Sequence, residues 1–304
     1  MKLICPNSSC IPPTNPSPKT KHIVRNGSFY RYSDSRTIDR YYCRNCKKHF
    51  SRATLSPAYR QKKRRINYPL NQLICSGVSQ RRAAIILKVN PKTVVRHFRY
   101  LAEQARINQF EWMEQFKSSP IKTVQFDDLE TSEHTKCKPV SVTLAVDQNH
   151  RKILGFQVSQ MPAKGLLVKK SLLKYGYRKD ERPKGWNQLM KTLIPYIDQN
   201  ATWTSDENPH YPKYLYLHHS KAKHIQVKGA RGCVTGQGEL KALHFDPLFA
   251  LNHTCAMLRA NMNRLFRRTW CTTKNLQGLM DHLSIYVVYH NQILTPASAI
   301  NGGS

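Results

Sequence analysis

The sequence predicts a multidomain α/β protein: a small cysteine-bearing module, then a helix-turn-helix, then a mixed α/β domain. Three observations predict this class. Two close cysteine pairs bound roughly the first 50 residues, and two helical patterns joined by a short turn follow. From about residue 119 onward, β-type runs alternate with amphipathic stretches. The predicted domains are therefore residues 1–60, 61–118 and 119–300.

The chain carries a large excess of basic side chains. It has 304 residues, with 49 Lys and Arg against 18 Asp and Glu, a formal charge of +31, and 40% hydrophobic residues. The apolar content predicts a folded core, and so much positive charge repels itself unless a polyanion is bound. The basic residues are spread over the whole length, with a cluster at 61–65. Nucleic acid is therefore the expected partner.

The expected compartment follows from what the sequence lacks. No apolar run approaches the roughly 18 residues of a membrane span, and "MKLICPNSSC" has no signal-peptide apolar core. We therefore expect a cytoplasmic protein whose cysteines are thiols or metal ligands. The cysteines without metal-ligand spacing are expected to be small buried hydrophobes; they are Cys75, Cys137, Cys233, Cys255 and Cys271.

The N-terminal module contains Cys5 and Cys10 in "CPNSSC" and Cys43 and Cys46 in "CRNC". Two such pairs at the ends of a small module suit a tetrahedral four-cysteine zinc site, a zinc ribbon, in which the metal supplies the folding energy. The first pair has four intervening residues instead of two, which is a looser fit. The alternative is a set of scattered thiols.

The helix-turn-helix rests on capping residues as well as on periodicity. Ser79 is a candidate N-cap of the first helix; Asn90 and Pro91 are the cap and first residue of the second. Four polar side chains at the start of the second helix are expected to face the DNA major groove: Lys92, Thr93, Arg96 and His97. The alternative is a plain helical bundle.

The elements of the large domain are predicted from periodicity. Strands are expected at 121–130, 137–147, 151–159 and 201–206 and within 214–227, and helices at 164–177, 185–199, 246–274 and 276–291.

Because acids are rare in this chain, their positions are informative. Asp127 and Asp128 follow the apolar run "VQF" at the end of a presumed central strand, and Asp206 follows "TWTS". Removing a carboxylate from water at such a position costs free energy unless the carboxylate is paired or holds a cation. Carboxylates at the ends of neighbouring strands can together provide the oxygen ligands that Mg²⁺ prefers. Side chains alternate along a strand, so only one of Asp127 and Asp128 can serve such a site, and periodicity does not choose between them. The alternative is a set of strand-end caps or salt bridges.

Four segments together resemble bacterial insertion-sequence transposases, in matching order over nearly the whole chain. They are "FDDLETSEHTK", "LAVDQNHRKILGF", "SDENPHYP" and "LRANMNRLFRRTWCTTK". The resemblance implies an RNase H-like catalytic domain with an acidic triad that uses Mg²⁺ (or Mn²⁺). It also implies cleavage and strand transfer of double-stranded DNA at element ends and target, by a homodimer or higher oligomer. The same resemblance implies a bacterial protein that is associated with the nucleoid.

Matched residue by residue, the resemblance makes Asp127 the first catalytic acid and Asp206 the second, with Tyr211 in the following aromatic position. The third acid of the family precedes a basic residue by seven positions. Arg259 is that basic residue, expected to clamp a DNA phosphate, and Asn252 stands where the acid would be. A related branch of these enzymes carries Asn there, so Asn252 is the expected third ligand.

The departure at this position leaves alternatives open. Glu239 or Asp246 could be the third ligand, and the chain could be an inactive DNA-binding regulator or a metal-dependent nuclease. Further phosphate contacts are expected from the basic residues that follow Arg259, with a solvated basic face as the alternative; they are Arg264, Arg267, Arg268 and Lys274. Trp270 and Cys271 are expected to pack in the core, and His134 and His253 to be structural.

Overall fold

The computed structural model describes residues 3–10, 22–32, 35–228, 246–266 and 271–295. By its internal contacts the chain divides into two units, Met1–Pro69 and Leu70–Ser304. This division groups the helical segment after residue 69 with the large sheet, whereas the sequence predicts separate domains. Within the described ranges, no helix has the length and apolar character needed to cross a membrane.

The first unit is built on a small antiparallel sheet. Its strands are β1 (Ile23–Arg31), β2 (Arg36–Cys43) and β3 (His49–Ser51), in the order β1-β2-β3. The buried residues are few, and the main ones are Tyr41, Cys43 and Phe50. So small a core gives little stability by itself, as expected for a module that depends on a metal.

Three helices come next: α1 (Asn67–Ile74), α2 (Gln80–Ile86) and α3 (Pro91–Glu114). The predicted caps are confirmed, because Ser79 accepts the Arg82 amide at 3.3 Å and Asn90 accepts the Lys92 amide at 2.9 Å. Helix α3 is long, and its second half extends beyond residue 107 to Glu114.

The large sheet contains five strands among the described residues: β4 (Ile121–Ser132), β5 (Pro139–Asp147), β6 (Ile153–Gln160), β7 (Ile197–Asp206) and β8 (Lys223–Val227). Their order is β6-β5-β4-β7-β8. The first three strands along the chain are antiparallel, and β7 and β8 run parallel to β4. The strand that carries Asp127 is therefore central.

Helices cover both faces of this sheet. They are α4 (Leu167–Tyr175), α5 (Arg182–Leu193), α6 (Tyr211–His218), α7 (Phe249–Asn261) and α8 (Leu276–Tyr289), and α8 continues as a π-helical turn, His290–Leu294. On one face, Phe126 packs with Trp186 of α5 and Tyr211 of α6. On the other, Leu129 shares a core with Leu251 of α7 and with residues of α3 and α8.

Two sequence expectations about element boundaries were wrong, and one helix was not predicted. Helix α6 was not expected, whereas β8 lies within 214–227, where a strand was predicted; β7 starts at Ile197, inside the predicted helix 185–199. The expected helix over 246–274 ends at Asn261, because Met262 adopts an extended conformation with φ −107° and ψ 109°. These element boundaries depend on packing against the sheet, which the local periodicity of the sequence does not reveal.

Candidate active site and metal centre

The two adjacent acids of β4 point to opposite faces of the sheet. Gln125 bonds to α7 through its side chain, whereas the ring of Phe126 packs on Trp186 with 5.4 Å between ring centroids. Because side chains alternate along a strand, Asp127 shares the α7 face with Gln125, and Asp128 shares the α5 face with Phe126.

Asp127 does not end its strand, contrary to the sequence expectation, because β4 continues to Ser132. What ends near Asp127 is the pairing of β4 with β7, whose last parallel pair is Gln125 with Thr204. Strand β7 ends at Asp206, as predicted. Asp127 and Asp206 therefore lie on neighbouring parallel strands where these strands separate.

Asp127 is a partly buried carboxylate with two donors on one oxygen. The Tyr211 hydroxyl donates to its Oδ1 at 2.8 Å, and the Asp128 amide donates to the same oxygen at 2.6 Å. Burial raises the pKa of Asp127 to about 6, against the lowering effect of these hydrogen bonds; the charges of Asp206 and Asp128 also raise it. A cation at this carboxylate would remove the cost of its charge.

Asp128 is held by protein donors on both oxygens. Ser141 donates to its Oδ1, and the indole N–H of Trp186 donates to its Oδ2 at 3.0 Å. Burial also raises the pKa of Asp128. These contacts tie Asp128 to the packing of β5 and α5, which supports Asp127 as the acid that faces a ligand.

Asp206 starts the turn that leads into α6. Its Oδ1 accepts the Asn208 amide at 3.1 Å, so the strand end and the helix start are joined by a side chain. Burial, with the charges of Asp127, Asp128 and Asp206, raises the pKa of Tyr211. Tyr211 therefore stays a neutral donor to Asp127 at physiological pH.

Helix α7 carries Asn252 and Arg259, the two residues of this segment that the sequence assigns to the candidate site. Asn252, Cys255 and Arg259 are spaced by three and four residues, which puts them on the same side of the helix. Burial raises the pKa of the Cys255 thiol to about 12; the charge of Asp127 also raises it and that of Arg259 lowers it. Cys255 therefore lies within electrostatic range of both Asp127 and Arg259, and Asn252 lies one turn before it.

Asn252 is exposed at the start of α7, and its amide Nδ2 donates to the Asp246 carboxylate at 2.9 Å. Two of the three alternatives for the third ligand are thus joined by a hydrogen bond. The third alternative, Glu239, lies outside the described residues.

The basic residues after Arg259 do not continue α7, contrary to the sequence expectation of one long helix. The guanidinium of Arg264 lies over the Phe98 ring, 5.9 Å from its centroid. Arg264, Arg259 and His134 line a cavity of 510 Å³ beyond the end of β4. Arg264 is thus already engaged with α3, and its role as a phosphate contact stays a prediction.

Of the other residues in this segment, Lys274 is exposed and Cys271 is half-buried. Arg267, Arg268 and Trp270 lie outside the described residues. His253 packs its ring on Phe249 at 5.7 Å between centroids, and burial lowers the pKa of His253. That environment suits the structural role predicted for His253.

The start of α3 offers fewer groove-facing residues than predicted. Lys92 and Arg96 are exposed and Thr93 is half-buried, but only 3% of His97 is exposed. The assignment of His97 to the DNA-facing set was wrong, because it lies on the buried side of α3 beside Phe98, a turn after the buried Val94.

Four cysteines of the first unit form a compact cluster. Their sulfurs all lie within 4.8 Å of one another, with 3.5 Å between Cys5 and Cys46 and 3.7 Å between Cys10 and Cys43. Tetrahedral Zn–S bonds of about 2.3 Å put sulfurs about 3.8 Å apart, so these spacings fit. A backbone hydrogen bond from Lys48 lowers the pKa of Cys46 to about 6, which favours its thiolate form. The cluster could therefore bind a structural metal ion such as zinc.

Sequence reasoning missed two residues that organise the candidate site. Gln125 is 1% exposed and bonds to α7, and Trp186 bonds to Asp128 from α5. The signal for Gln125 is its position: an amide inside the apolar run "VQF" of a central strand needs partners. For Trp186 there is no such signal in the sequence.

Comparison with known proteins finds no matching family model and no similar protein among those with curated descriptions.

We expect the chain to bind one Zn²⁺ through the four cysteines. A strong chelator, or Cys43→Ser, is expected to unfold the first unit while the second stays folded, because the small core of the first unit is insufficient alone. Metal analysis with limited proteolysis measures this, and Cys271→Ser is the control outside the cluster. Zinc content unchanged in Cys43→Ser would contradict the assignment.

We expect the raised pKa of Asp127 to make the metal-free protein less stable as the pH rises. Its pKa is about 6 when folded, against an ordinary value of 3.8, so between these values the folded state holds more protons and loses stability with increasing pH. Asp127→Asn is expected to reduce this loss and to be about 1–3 kcal/mol more stable at pH 7. Asp128 acts in the same direction, so part of the loss stays. Urea unfolding from pH 4 to 7 measures this; identical pH dependence in both proteins would contradict it.

Proposed function

We propose that this chain is a DNA transposase that cuts and joins DNA with Mg²⁺ held by the second unit. The observation that carries the proposal is the position of Asp127 and Asp206 on neighbouring parallel strands, where the pairing of these strands ends. The sequence resemblance to insertion-sequence transposases also supports the proposal.

The strand arrangement supports an RNase H-like fold for the catalytic unit. Three antiparallel strands are followed by two that run parallel to the first, and helices cover both faces. Asp127 and Asp206 lie where the parallel pairing of β4 with β7 ends, and ligands bind beside the ends of parallel strands in sheets of this type.

The residues present fit a divalent cation. Asp127 and Asp206 supply hard carboxylate oxygens, and Asn252 supplies an amide oxygen, which are the ligand types of Mg²⁺. The partly buried Asp127 has a raised pKa, so it gains from a cation that stabilises its charged form. When bound, Mg²⁺ activates the attacking oxygen and stabilises the leaving oxygen of an in-line phosphodiester displacement.

The protein's own groups hold and orient the reactants. Tyr211 donates to Oδ1 of Asp127, which fixes the carboxylate without adding a charge. Arg259 would clamp a DNA phosphate beside the acids with its planar guanidinium. Water is the nucleophile for strand nicking, and the released 3′-OH is the nucleophile for joining to target DNA.

Binding to double-stranded DNA accounts for the charge of the chain. A net charge of +31 is neutralised by phosphates, and the exposed Lys92 and Arg96 at the start of α3 suit a recognition helix. The four-cysteine unit would be a zinc ribbon that helps locate the element ends. Joining two ends requires at least two copies of the chain, so the working form is a homodimer or larger oligomer.

The experiment incubates the protein with duplex DNA bearing the ends of its element and with Mg²⁺ or Mn²⁺. We expect cleaved and joined products, lost in Asp127→Ala and in Asp206→Ala, because each variant removes a cation ligand. Asp198→Ala, at the other end of β7, is the matched control and is expected to retain activity.

The outcomes separate the possible functions. Cleavage without joining would indicate a nuclease, and binding without cleavage in either metal would indicate a DNA-binding regulator; each would overturn the transposase proposal. Full activity of Asn252→Ala would remove Asn252 from the set of cation ligands.

We expect Lys92 and Arg96 to bind phosphates. Replacing either with Ala should reduce the slope of log affinity against log salt concentration by about one, since each neutralised phosphate releases about one counterion. Lys191→Ala, which removes an exposed lysine from α5, is the control. Fluorescence anisotropy over a salt series measures the slope; the same slope in all variants would exclude these contacts.

A further inference from the structure

Helix α4 is attached to the sheet mainly by polar contacts. Its one buried residue is Ser171, whose hydroxyl donates to the Cys137 carbonyl at 2.7 Å. Lys164, just before the helix, forms an ion pair with Glu130 of β4. Glu130 follows Asp127 by three residues, which is about 10 Å along an extended strand. The helix is therefore held to the strand that carries the first candidate acid.

Two leucines lie on the outward side of α4, opposite Ser171. Leu166 is fully exposed, and Leu173 is 91% exposed. They are seven residues apart, so they lie on one line along the helix with about 10 Å between them. Leu166 is also the N-cap residue, a position that favours Ser, Thr, Asp or Asn, and its side chain makes no cap hydrogen bond. Exposed apolar residues that break a local rule point to an interaction.

Lysines flank the two leucines. Lys169 and Lys170 are exposed and follow Leu166 by three and four residues, so one lies on each side of the line of leucines. Residues 164–179 contain five Lys, one Arg and no acid. This charge attracts a polyanion and repels a second copy of the chain. An anionic membrane fits less well, because a helix that lies on a membrane needs a continuous apolar face, which the lysines interrupt here.

We infer that Leu166 and Leu173 form a wedge that enters the minor groove of duplex DNA and partly unstacks its bases. Lys169 and Lys170 bind the phosphates on either side. The inference rests on the proposed function, because it takes DNA as the partner. Apolar side chains inserted between base steps exchange water for the apolar faces of the bases. The distance of about 10 Å between the leucines matches about three base-pair steps of roughly 3.4 Å.

The attachment of α4 gives the wedge a role in the proposed reaction. Because Lys164 pairs with Glu130, a duplex bound at Asp127 is within reach of α4. Unstacking by the leucines would loosen base pairs close to the phosphodiester that is cut. The apolar side chains of α4 would thus distort the substrate, whereas the acids of β4 and β7 would hold the cation.

The test measures the fluorescence of 2-aminopurine placed at successive positions in a duplex that bears the ends of the element, with no Mg²⁺ or Mn²⁺ added. The wild type is expected to raise the fluorescence about twofold or more at positions about three base pairs apart, because unstacking relieves quenching. The double variant L166A/L173A is expected to lose most of this rise, since Ala favours the helix but is too short to insert. Leu217→Ala, which shortens an exposed leucine of α6, is the matched control.

The lysines are tested by fluorescence anisotropy over a salt series. Lys169→Gln and Lys170→Gln are each expected to reduce the slope of log affinity against log salt concentration by about one. Lys191→Gln, on α5, is the control. An unchanged slope in both variants would remove the lysines from the proposed contact.

Several results would overturn the inference. They are DNA binding by the wild type without a fluorescence rise, the same rise in L166A/L173A, and an equal loss in Leu217→Ala. Two further results would assign the leucines to another partner. Loss of binding to phosphatidylserine vesicles in the double variant, with DNA unstacking unchanged, would indicate a membrane. Dissociation of an oligomer by the double variant, again with unstacking unchanged, would indicate a second copy.

The outcome for the proposed function is read separately, from cleavage and joining with Mg²⁺. If the double variant loses the unstacking and the wild type cuts no DNA, the inference stands and the proposed function fails. If the wild type cuts and joins DNA and the double variant unstacks it equally, the inference fails and the proposed function stands. Absence of DNA binding by the wild type would overturn both.

Discussion

The properties of the candidate site depend on the free-energy cost of burying the charged Asp127 carboxylate in the middle of a central strand. Burial raises its pKa to about 6, even though Tyr211 and the Asp128 amide donate to it. Asp206, on the neighbouring strand, adds to that cost. Negative charge concentrated on two neighbouring central strands is unfavourable without a cation and favourable with one. The chain as a whole has the opposite imbalance, with a charge of +31. The divalent cation and the DNA that we propose as ligands would neutralise these two opposite charges.

The side chains on the two faces of β4 have different structural roles. On one face, Asp128 is bound by Trp186 and Ser141, and these contacts hold the strand to α5 and β5. On the other, Gln125 holds α7 against the strand at the level where Asp127 emerges. The position of α7, and with it of Asn252 and Arg259, therefore depends on a buried amide with two good hydrogen bonds. Rigid support of this kind is what a cation site needs, because small displacements of a ligand cost much of its affinity.

The sequence predicts those features that local patterns determine. The caps at Ser79 and Asn90 and the strand that ends at Asp206 follow from short-range rules. The proximity of the four cysteines follows from the metal-ligand spacing within each pair, which predicts that the two distant pairs meet. Features that depend on tertiary packing cannot be predicted from short-range rules. The burial of His97, the helix α6 and the end of α7 at Asn261 depend on which surfaces meet. The Asp246–Asn252 hydrogen bond was missed for a related reason. Sequence spacing presents the two residues as alternative third ligands of the cation, whereas the turn before α7 brings their side chains within hydrogen-bonding distance.

Anomalous diffraction from crystals soaked in Mn²⁺ measures whether Asp127 and Asp206 jointly hold a divalent cation, as we propose. We expect a Mn²⁺ peak within coordination distance of both carboxylates, absent from crystals of Asp127→Ala. Mn²⁺ peaks only at other acids, or an identical peak in the variant, would contradict it.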